Sequence, residues 1–121
     1  MFLAELNKSK RWLHLSFIGH VCAAELEAGR ADVAAALAEL PSGFLLLTDL
    51  ERLDRMDIEC TEGLGKIMEL CDQKGVASAV RIVPSPDKDI GFNIISLFHY
   101  QHRPPVATCS TLAEATKLLG G

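Results

Sequence analysis

The sequence predicts a single α/β domain with a mostly parallel sheet. Short apolar runs alternate along the chain with segments in which apolar residues recur at helical spacing, which is the pattern of strands joined by helical crossovers. The hydrophobic fraction is 49%, which suits a sheet covered on both faces. The length of 121 residues is that of one domain, so we assign residues 1–121 to it.

An antiparallel β-hairpin is expected at the N-terminus. Two β-like runs, residues 2–6 and 12–18, flank the polar turn sequence NKSK. Gly19 is expected to end the second strand. Alternate residues of that strand define the face that should point to the core, namely Leu13, Leu15 and Phe17.

Helices and strands then alternate. Helical spacing predicts a first helix over residues 23–40, in which Gly29 is a weak position, and the sequence PSG stops it. The continuous apolar run FLLLTDL, residues 44–50, predicts a strand with both faces buried. A second helix is expected from the stretch that begins at Met56 to about Gln73.

The C-terminal part continues this alternation. The run VASAVRIV predicts a strand, and PSPDKD has the residues of a helix start, so a third helix should follow it. VATCS is expected to be the last strand, and Thr111 with Glu114 forms a capping box for a fourth helix. The order β-β-α-β-α-β-α-β-α implies right-handed crossovers, about four helices, and the N-terminal β-hairpin at one edge of the sheet.

Charge and hydropathy exclude several function classes. Lys and Arg number 12 and Asp and Glu number 16, which gives a net charge of −4, and no basic block is present, so nucleic acid is not an expected partner. No apolar run is long enough for a membrane span. The segment MFLAELNKSK has no basic region before a long apolar one, so no signal peptide is expected and the cytoplasm is the expected compartment.

The cysteines and histidines do not predict a metal or cofactor site. No C-x-x-C pair occurs, so the cysteines are expected to be reduced and mostly buried rather than zinc ligands. His99 and His102 are three residues apart, but further ligands are not evident, so we expect no metal and no cofactor. The four cysteines are Cys22, Cys60, Cys71 and Cys109.

The sequence MDIECTEGLG, residues 56–65, lies between a strand and a helix, where α/β proteins often carry their function. Thr61 is either a cap or a hydroxyl bonded to a nearby carbonyl, or it is a phosphoacceptor at a helix N-terminus. Cys60 is a weak candidate nucleophile, because neighbouring carboxylates oppose the effect of the helix N-terminus on its thiol. TEGLGK lacks the first glycine and the final Ser/Thr of a P-loop.

The element order and this loop resemble the STAS domain family, named for sulphate transporters and anti-sigma-factor antagonists. The family signature is a strand followed by Met-Asp-Ser-Ser-Gly-Leu. Met56-Asp57 matches its first half and Gly63-Leu64 its second half, with the sequence IECTE between them. CSTLAEATKLL resembles the closing strand-to-helix segment of the family, and a subset of STAS-like proteins resembles SEC14-type lipid-binding domains.

The resemblance implies a binding module rather than an enzyme. In the antagonists of this family the serine after the aspartate is phosphorylated, the unmodified form binds a kinase-like anti-sigma factor, and the phosphate releases it. A match anchored on Gly63 puts Thr61 at that position, whereas a match anchored on Asp57 puts Ile58 there, which has no hydroxyl. The resemblance thus implies a regulatory protein–protein interaction module, with or without an active phosphorylation switch. The candidate interaction loop consists of Asp57, Glu59, Cys60, Glu62 and Gly63.

Two further hypotheses concern charge and apolar surface. Glu59 and Glu62 add negative charge around Thr61 and could hold the loop in a permanently phosphate-like state. An apolar stripe on the expected third helix is explained either by deep burial or as a patch for a partner, for a second copy in a homodimer, or for an apolar ligand. The alternative function is therefore a carrier of a small apolar or lipid-like molecule. The stripe consists of Phe92, Ile95 and His99.

Overall fold

The computed structural model describes residues 1–83, 100–102 and 104–119. None of the helices in these ranges has the length and apolar character needed to cross a membrane. The strands are β1 (Phe2–Asn7), β2 (Trp12–Phe17), β3 (Gly19–Val21), β4 (Leu45–Asp49), β5 (Leu53–Met56), β6 (Ser78–Ile82) and β7 (Val106–Cys109). The helices are α1 (Ala23–Ala38), α2 (Cys60–Lys74) and α3 (Leu112–Leu118).

The main sheet has five strands in the order β1-β2-β4-β6-β7. Strands β1 and β2 form an antiparallel hairpin, in which Asn7 pairs with Trp12, and all other neighbours in this sheet are parallel. The predicted mostly parallel sheet with an N-terminal β-hairpin is therefore confirmed. Residues 84–99, where the third of about four helices is expected, lie outside the described part of the chain.

The core lies on both sides of this sheet. The side chains of Leu13, Leu15 and Phe17, which were expected to face the core, are at most 3% exposed and pack in one cluster with α1 and α2. On the opposite face, Leu47 packs with Ala115 of α3. Since its neighbour Leu46 belongs to the first cluster, strand β4 is buried on both faces, as predicted.

A second, two-stranded parallel sheet of β3 and β5 is missing from the prediction. Gly19 has a φ of +66°, which glycine adopts readily, and it begins β3 where the chain leaves the main sheet. Helix α2 begins at Cys60, within the stretch 56–65 from which it was predicted, because Met56 pairs with Val21 in this small sheet. Both strands are too short to show an alternating pattern in the sequence.

Gly29 is a packing position in α1 rather than only a weak one. It is buried, and a Cβ atom on it would lie 2.3 Å from Cδ2 of the Phe2 ring. That ring packs in turn on Phe17, with ring centroids 5.0 Å apart. The absence of a side chain at Gly29 thus lets the edge strand pack against the helix, which compensates for the low helix propensity of glycine.

Candidate functional site

The candidate loop joins β5 to α2 and lies beside the end of β3. The backbone N–H of Asp57 donates to the carbonyl of Val21 at 3.2 Å and so extends the small sheet by one contact. The N–H of Cys60 donates to the carbonyl of Asp57 at 2.9 Å. Glu59 is the N-cap residue of α2, but its side chain makes no capping hydrogen bond. Backbone contacts therefore hold the loop in place, and the Glu59 carboxylate is left for solvent or a partner.

Ile58, the middle residue of this loop, has 83% of its surface exposed. Its carbonyl accepts two hydrogen bonds from Thr61, one from the backbone N–H at 3.1 Å and one from the hydroxyl at 2.8 Å. Thr61, Glu59 and Glu62 are all exposed. The Thr61 hydroxyl is thus bonded to a nearby carbonyl and also accessible from solvent.

Asp57 contacts His20, which the sequence did not predict, and His20 in turn contacts Arg55. The Oδ1 atom of Asp57 lies 2.7 Å from Nε2 of His20, and a guanidinium nitrogen of Arg55 lies 3.3 Å from the same ring nitrogen. A single ring nitrogen either donates to the carboxylate or accepts from the guanidinium, so the two contacts are alternatives that depend on the tautomer of His20. Both residues belong to the small sheet, where His20 pairs with Arg55, and no signal in the sequence indicates this pairing of two short, distant segments.

Cys60 lies inside the protein, with 1% of its surface exposed. Its thiol donates to the Val21 carbonyl at 3.5 Å. Burial raises the pKa of the Cys60 thiol, and the charges of Asp57 and Glu59 raise it further. A catalytic thiol needs thiolate character and access for the substrate, and this environment opposes both.

Gly63 lies where α2 meets α1. A Cβ atom on Gly63 would come within 3.2 Å of the Cβ of Leu26, so the missing side chain allows the two helices to approach closely. The candidate loop residues therefore divide into two groups. Asp57, Glu59 and Glu62 contribute to the surface, while Cys60 and Gly63 form its support.

The other proposed site residues contribute no site in the described ranges. Phe92, Ile95 and His99 lie outside them. His102 contacts Asp72 through Nδ1 at 3.1 Å, but in residues 1–83, 100–102 and 104–119 no group of three or more His, Cys, Asp or Glu side chains is placed to hold a metal ion.

A serine, a histidine and an aspartate do meet on the other face of the sheet. Nε2 of His14 lies 3.3 Å from Oγ of Ser16 and 3.4 Å from Oδ2 of Asp49. A catalytic relay needs the hydroxyl on one ring nitrogen and the carboxylate on the other. Because both contacts here use the same nitrogen, this cluster does not have the geometry of a triad.

Comparison by sequence identifies no relative. No protein-family model matches the chain, and no curated protein matches it either.

Comparison with solved structures identifies several with the same fold. The anti-sigma factor antagonist SpoIIAA in its unphosphorylated form is 18% identical, with a TM-score of 0.70 over 100% of this chain and 99% of that one. SpoIIAA from Bacillus in its phosphorylated form is also 18% identical, with a TM-score of 0.68 over 98% and 99%. An anti-sigma factor antagonist from Mycobacterium paratuberculosis is 16% identical, with a TM-score of 0.61 over 100% and 94%.

A further structure belongs to an uncharacterised protein of the DUF3478 family from Shewanella loihica PV-4, which is described as having a SpoIIAA-like fold. It is 13% identical, and its TM-score is 0.73 over 98% of this chain and 92% of that one. At these identities the likeness concerns the fold, and it extends over nearly the whole length of each chain. The chain has the STAS-like fold that its element order predicted, the fold of the anti-sigma factor antagonists.

Proposed function

We propose that this chain regulates another protein by binding it through the surface of the loop 57–59 and the first turn of α2. We call this surface the loop surface and define it by Asp57, Ile58, Glu59, Thr61 and Glu62. The observation that carries the proposal is the exposure of Ile58, 83% of whose surface faces solvent. The fold shared with anti-sigma factor antagonists supports the same type of function.

The chemistry of the loop surface indicates what kind of partner fits it. Burying the exposed Ile58 side chain in an apolar pocket would contribute about 1.5–3 kcal/mol. The carboxylates of Asp57, Glu59 and Glu62 surround it. The contact of Lys66 with Glu62, at 3.3 Å, is an exposed pair of small energetic value. The partner surface that complements this arrangement is an apolar pocket bordered by basic side chains.

The more specific form of the proposal concerns a kinase-like anti-sigma factor as the partner, with Thr61 as the modified residue. Thr61 is exposed and stands in the first turn of α2, where backbone N–H groups favour an anion. Phosphorylation would remove the hydroxyl proton that now bonds to the Ile58 carbonyl and would add negative charge beside Glu59 and Glu62, which repel it. The modified loop would then differ from the unmodified loop in both charge and shape.

The test compares Ile58→Ser with Leu118→Ser, a matched change on α3, where Leu118 is 56% exposed. Wild type and both variants are used to capture binding partners from the cells that produce this chain. The captured partner is then purified, and its affinity for each of the three proteins is measured. We expect wild type and Leu118→Ser to bind equally and Ile58→Ser to bind at least about tenfold more weakly. A partner that binds all three proteins equally would show that the loop surface is not the interface.

A further inference from the structure

We infer that Cys22 and Cys60 form an oxidative modification site, at which a hydroperoxide converts the two thiols into a disulfide that joins the start of α1 to the start of α2. The chemical step stands on the geometry of this chain alone. Its effect on partner binding rests on the proposed function, because Cys60 lies within the support of the loop surface.

The first observation is the contact between Cys60 and the strand that leads into Cys22. The sulfur of Cys60 lies 3.5 Å from the carbonyl oxygen of Val21. That oxygen belongs to the peptide unit that connects Val21 to Cys22, so the sulfur of Cys60 lies within about 6 Å of the Cα atom of Cys22. Rotation of the Cys22 side chain and a small movement of the loop then bring the two sulfurs to the bonding distance of about 2 Å.

The second observation is the close approach of the two helices one turn further along. Gly63 packs against Leu26 so closely that a Cβ atom on Gly63 would lie 3.2 Å from the Cβ of Leu26. Residues three or four apart lie on the same face of a helix. Cys60 precedes Gly63 by three positions and Cys22 precedes Leu26 by four, so the two cysteines occupy the facing sides of the helix starts.

The environments of the four cysteines distinguish this pair from the others. Cys22 is only partly buried, and its thiol donates to a carboxylate oxygen of Glu25 at 3.5 Å. Cys71 is fully buried in the cluster beneath α1 and α2. Cys109 belongs to the cluster on the opposite face of the sheet. An oxidant therefore reaches Cys22 first, and the thiol near it is that of Cys60.

The reaction balances with a hydroperoxide as the oxidant. The Cys22 thiolate attacks the outer peroxide oxygen, the O–O bond breaks, and the alcohol, or water from hydrogen peroxide, leaves after taking up a proton. The sulfur of Cys60 then attacks the sulfenic acid on Cys22, the S–S bond forms, and water leaves with the hydroxyl group and the thiol proton. Two thiols lose two electrons in total, and one peroxide gains them. Only Cys22 has to meet the oxidant, so the burial of Cys60 does not prevent the second step.

The consequence for the loop surface is mechanical. Cys60 is the first residue of α2, adjacent to Thr61, and its amide fixes the loop through the carbonyl of Asp57. A bond from Cys60 to Cys22 would pull this turn toward α1 and end the hydrogen bond from its thiol to Val21. Oxidation would therefore alter the position of Ile58 without touching any exposed residue of the loop surface.

The experiment treats the purified, reduced chain with hydrogen peroxide and analyses it by intact-mass and peptide mass spectrometry. We expect the main product to lose about 2 Da and to yield a peptide pair joined through Cys22 and Cys60. In the Cys60→Ser variant a sulfenic acid should accumulate on Cys22, where a cyclic 1,3-diketone reagent captures it. Cys109→Ser is the matched control, and it should form the same crosslink as wild type.

Three results would overturn the inference. These are sulfinic or sulfonic acid on Cys22 with Cys60 still a free thiol, a crosslink that includes Cys71 or Cys109, or an unreacted chain. The crosslink is measured first on the wild-type chain, so a variant that fails to fold does not decide the outcome.

A second measurement separates this inference from the proposed function. Once a partner of the loop surface is purified, its binding to the oxidised and the reduced chain is compared, and we expect at least a tenfold difference that a thiol reductant reverses. Equal binding would refute the regulatory role of the disulfide. If the crosslink forms but the captured partner binds Ile58→Ser as tightly as wild type, the proposed function is refuted and the modification site stands.

Discussion

At the scale of single residues, Thr61 and Ile58 form one unit. The Thr61 hydroxyl donates to the Ile58 carbonyl. Modifying or removing that hydroxyl therefore ends a hydrogen bond to the residue with the most exposed apolar surface in the loop. The sequence identified Thr61 and its two alternative roles, since both follow from a threonine at a helix start. It did not predict the exposure of Ile58, because exposure depends on how the loop lies on the fold.

Replacing Thr61 with glutamate tests this unit. Thr61→Glu removes the bond to the Ile58 carbonyl and adds a charge beside Glu59 and Glu62, so partner binding should weaken by at least about tenfold, or about 1.4 kcal/mol. The control is Thr116→Glu, because the Thr116 hydroxyl makes the same kind of bond, to the Leu112 carbonyl at 2.9 Å, on α3. The measurement is calorimetric titration with the purified partner, and equal affinity of both variants would contradict the role of Thr61.

At the scale of elements, the sequence predicted the periodic segments and missed the short ones. The core face of Leu13, Leu15 and Phe17 followed from the alternation in one strand. Of the predicted capping box, the Thr111 side chain accepts from the N–H of Glu114 at 3.2 Å, but the Glu114 carboxylate accepts from the N–H of Ser110 rather than from that of Thr111. Strands β3 and β5 were missed because their pairing joins segments distant in sequence. That omission also concealed the contact of Asp57 with His20.

Gly75, at the end of α2, provides a test of how an element is terminated. It has a φ of +96°, its N–H donates to the carbonyls of Cys71 and Asp72, and a Cβ atom on it would lie 2.4 Å from Oγ of Ser42. Gly75→Ala should lower the free energy of unfolding by about 1–2 kcal/mol, because alanine is strained at positive φ. Urea unfolding measures this change.

A double variant separates the two causes of that loss. Adding Ser42→Ala removes the atom that the new Cβ would meet but leaves the backbone strain, so the Gly75→Ala, Ser42→Ala protein should recover only part of the lost stability. Full recovery would show that the clash, and not the left-handed conformation, dominates.

At the scale of the whole molecule, the order of elements in the sequence predicted the layered fold. It did not predict the hydrogen bonds that connect segments distant in sequence. Asp72 is the clearest case, because it is 4% exposed and accepts hydrogen bonds from the N–H groups of Gln101 and His102. Burial raises the pKa of this carboxyl, but these hydrogen bonds and the contact with the His102 ring outweigh burial, so its pKa lies below the usual value. Nothing local in the sequence marks this aspartate, which stands in α2 among other polar residues.

The pH dependence of the free energy of unfolding tests the contact of the Asp72 carboxylate with Gln101 and His102. Because the pKa of Asp72 is lowered in the folded state, its contribution is fully present above the unfolded value of about 3.9 and is lost as the pH falls through the folded value. Asp72→Asn should therefore cost about 2 kcal/mol near pH 7, and its difference from wild type should shrink below about pH 4. Urea unfolding across this pH range measures it, with Asp54→Asn as an exposed control. A difference that is constant down to acid pH would contradict the role of the ionised carboxylate.

The hairpin at the edge of the main sheet has a consequence for the order in which the fold is assembled. Asn7 and Trp12 pair across a short turn, whereas each parallel pairing, such as that of Ala79 with Val106, must wait until an intervening crossover has been made. Local contacts form with a small loss of chain entropy and distant ones with a larger loss. We therefore expect the hairpin to form before the parallel pairings and to be the edge to which β4 and then β6 are added, with the edge strand β7 and helix α3 joining last.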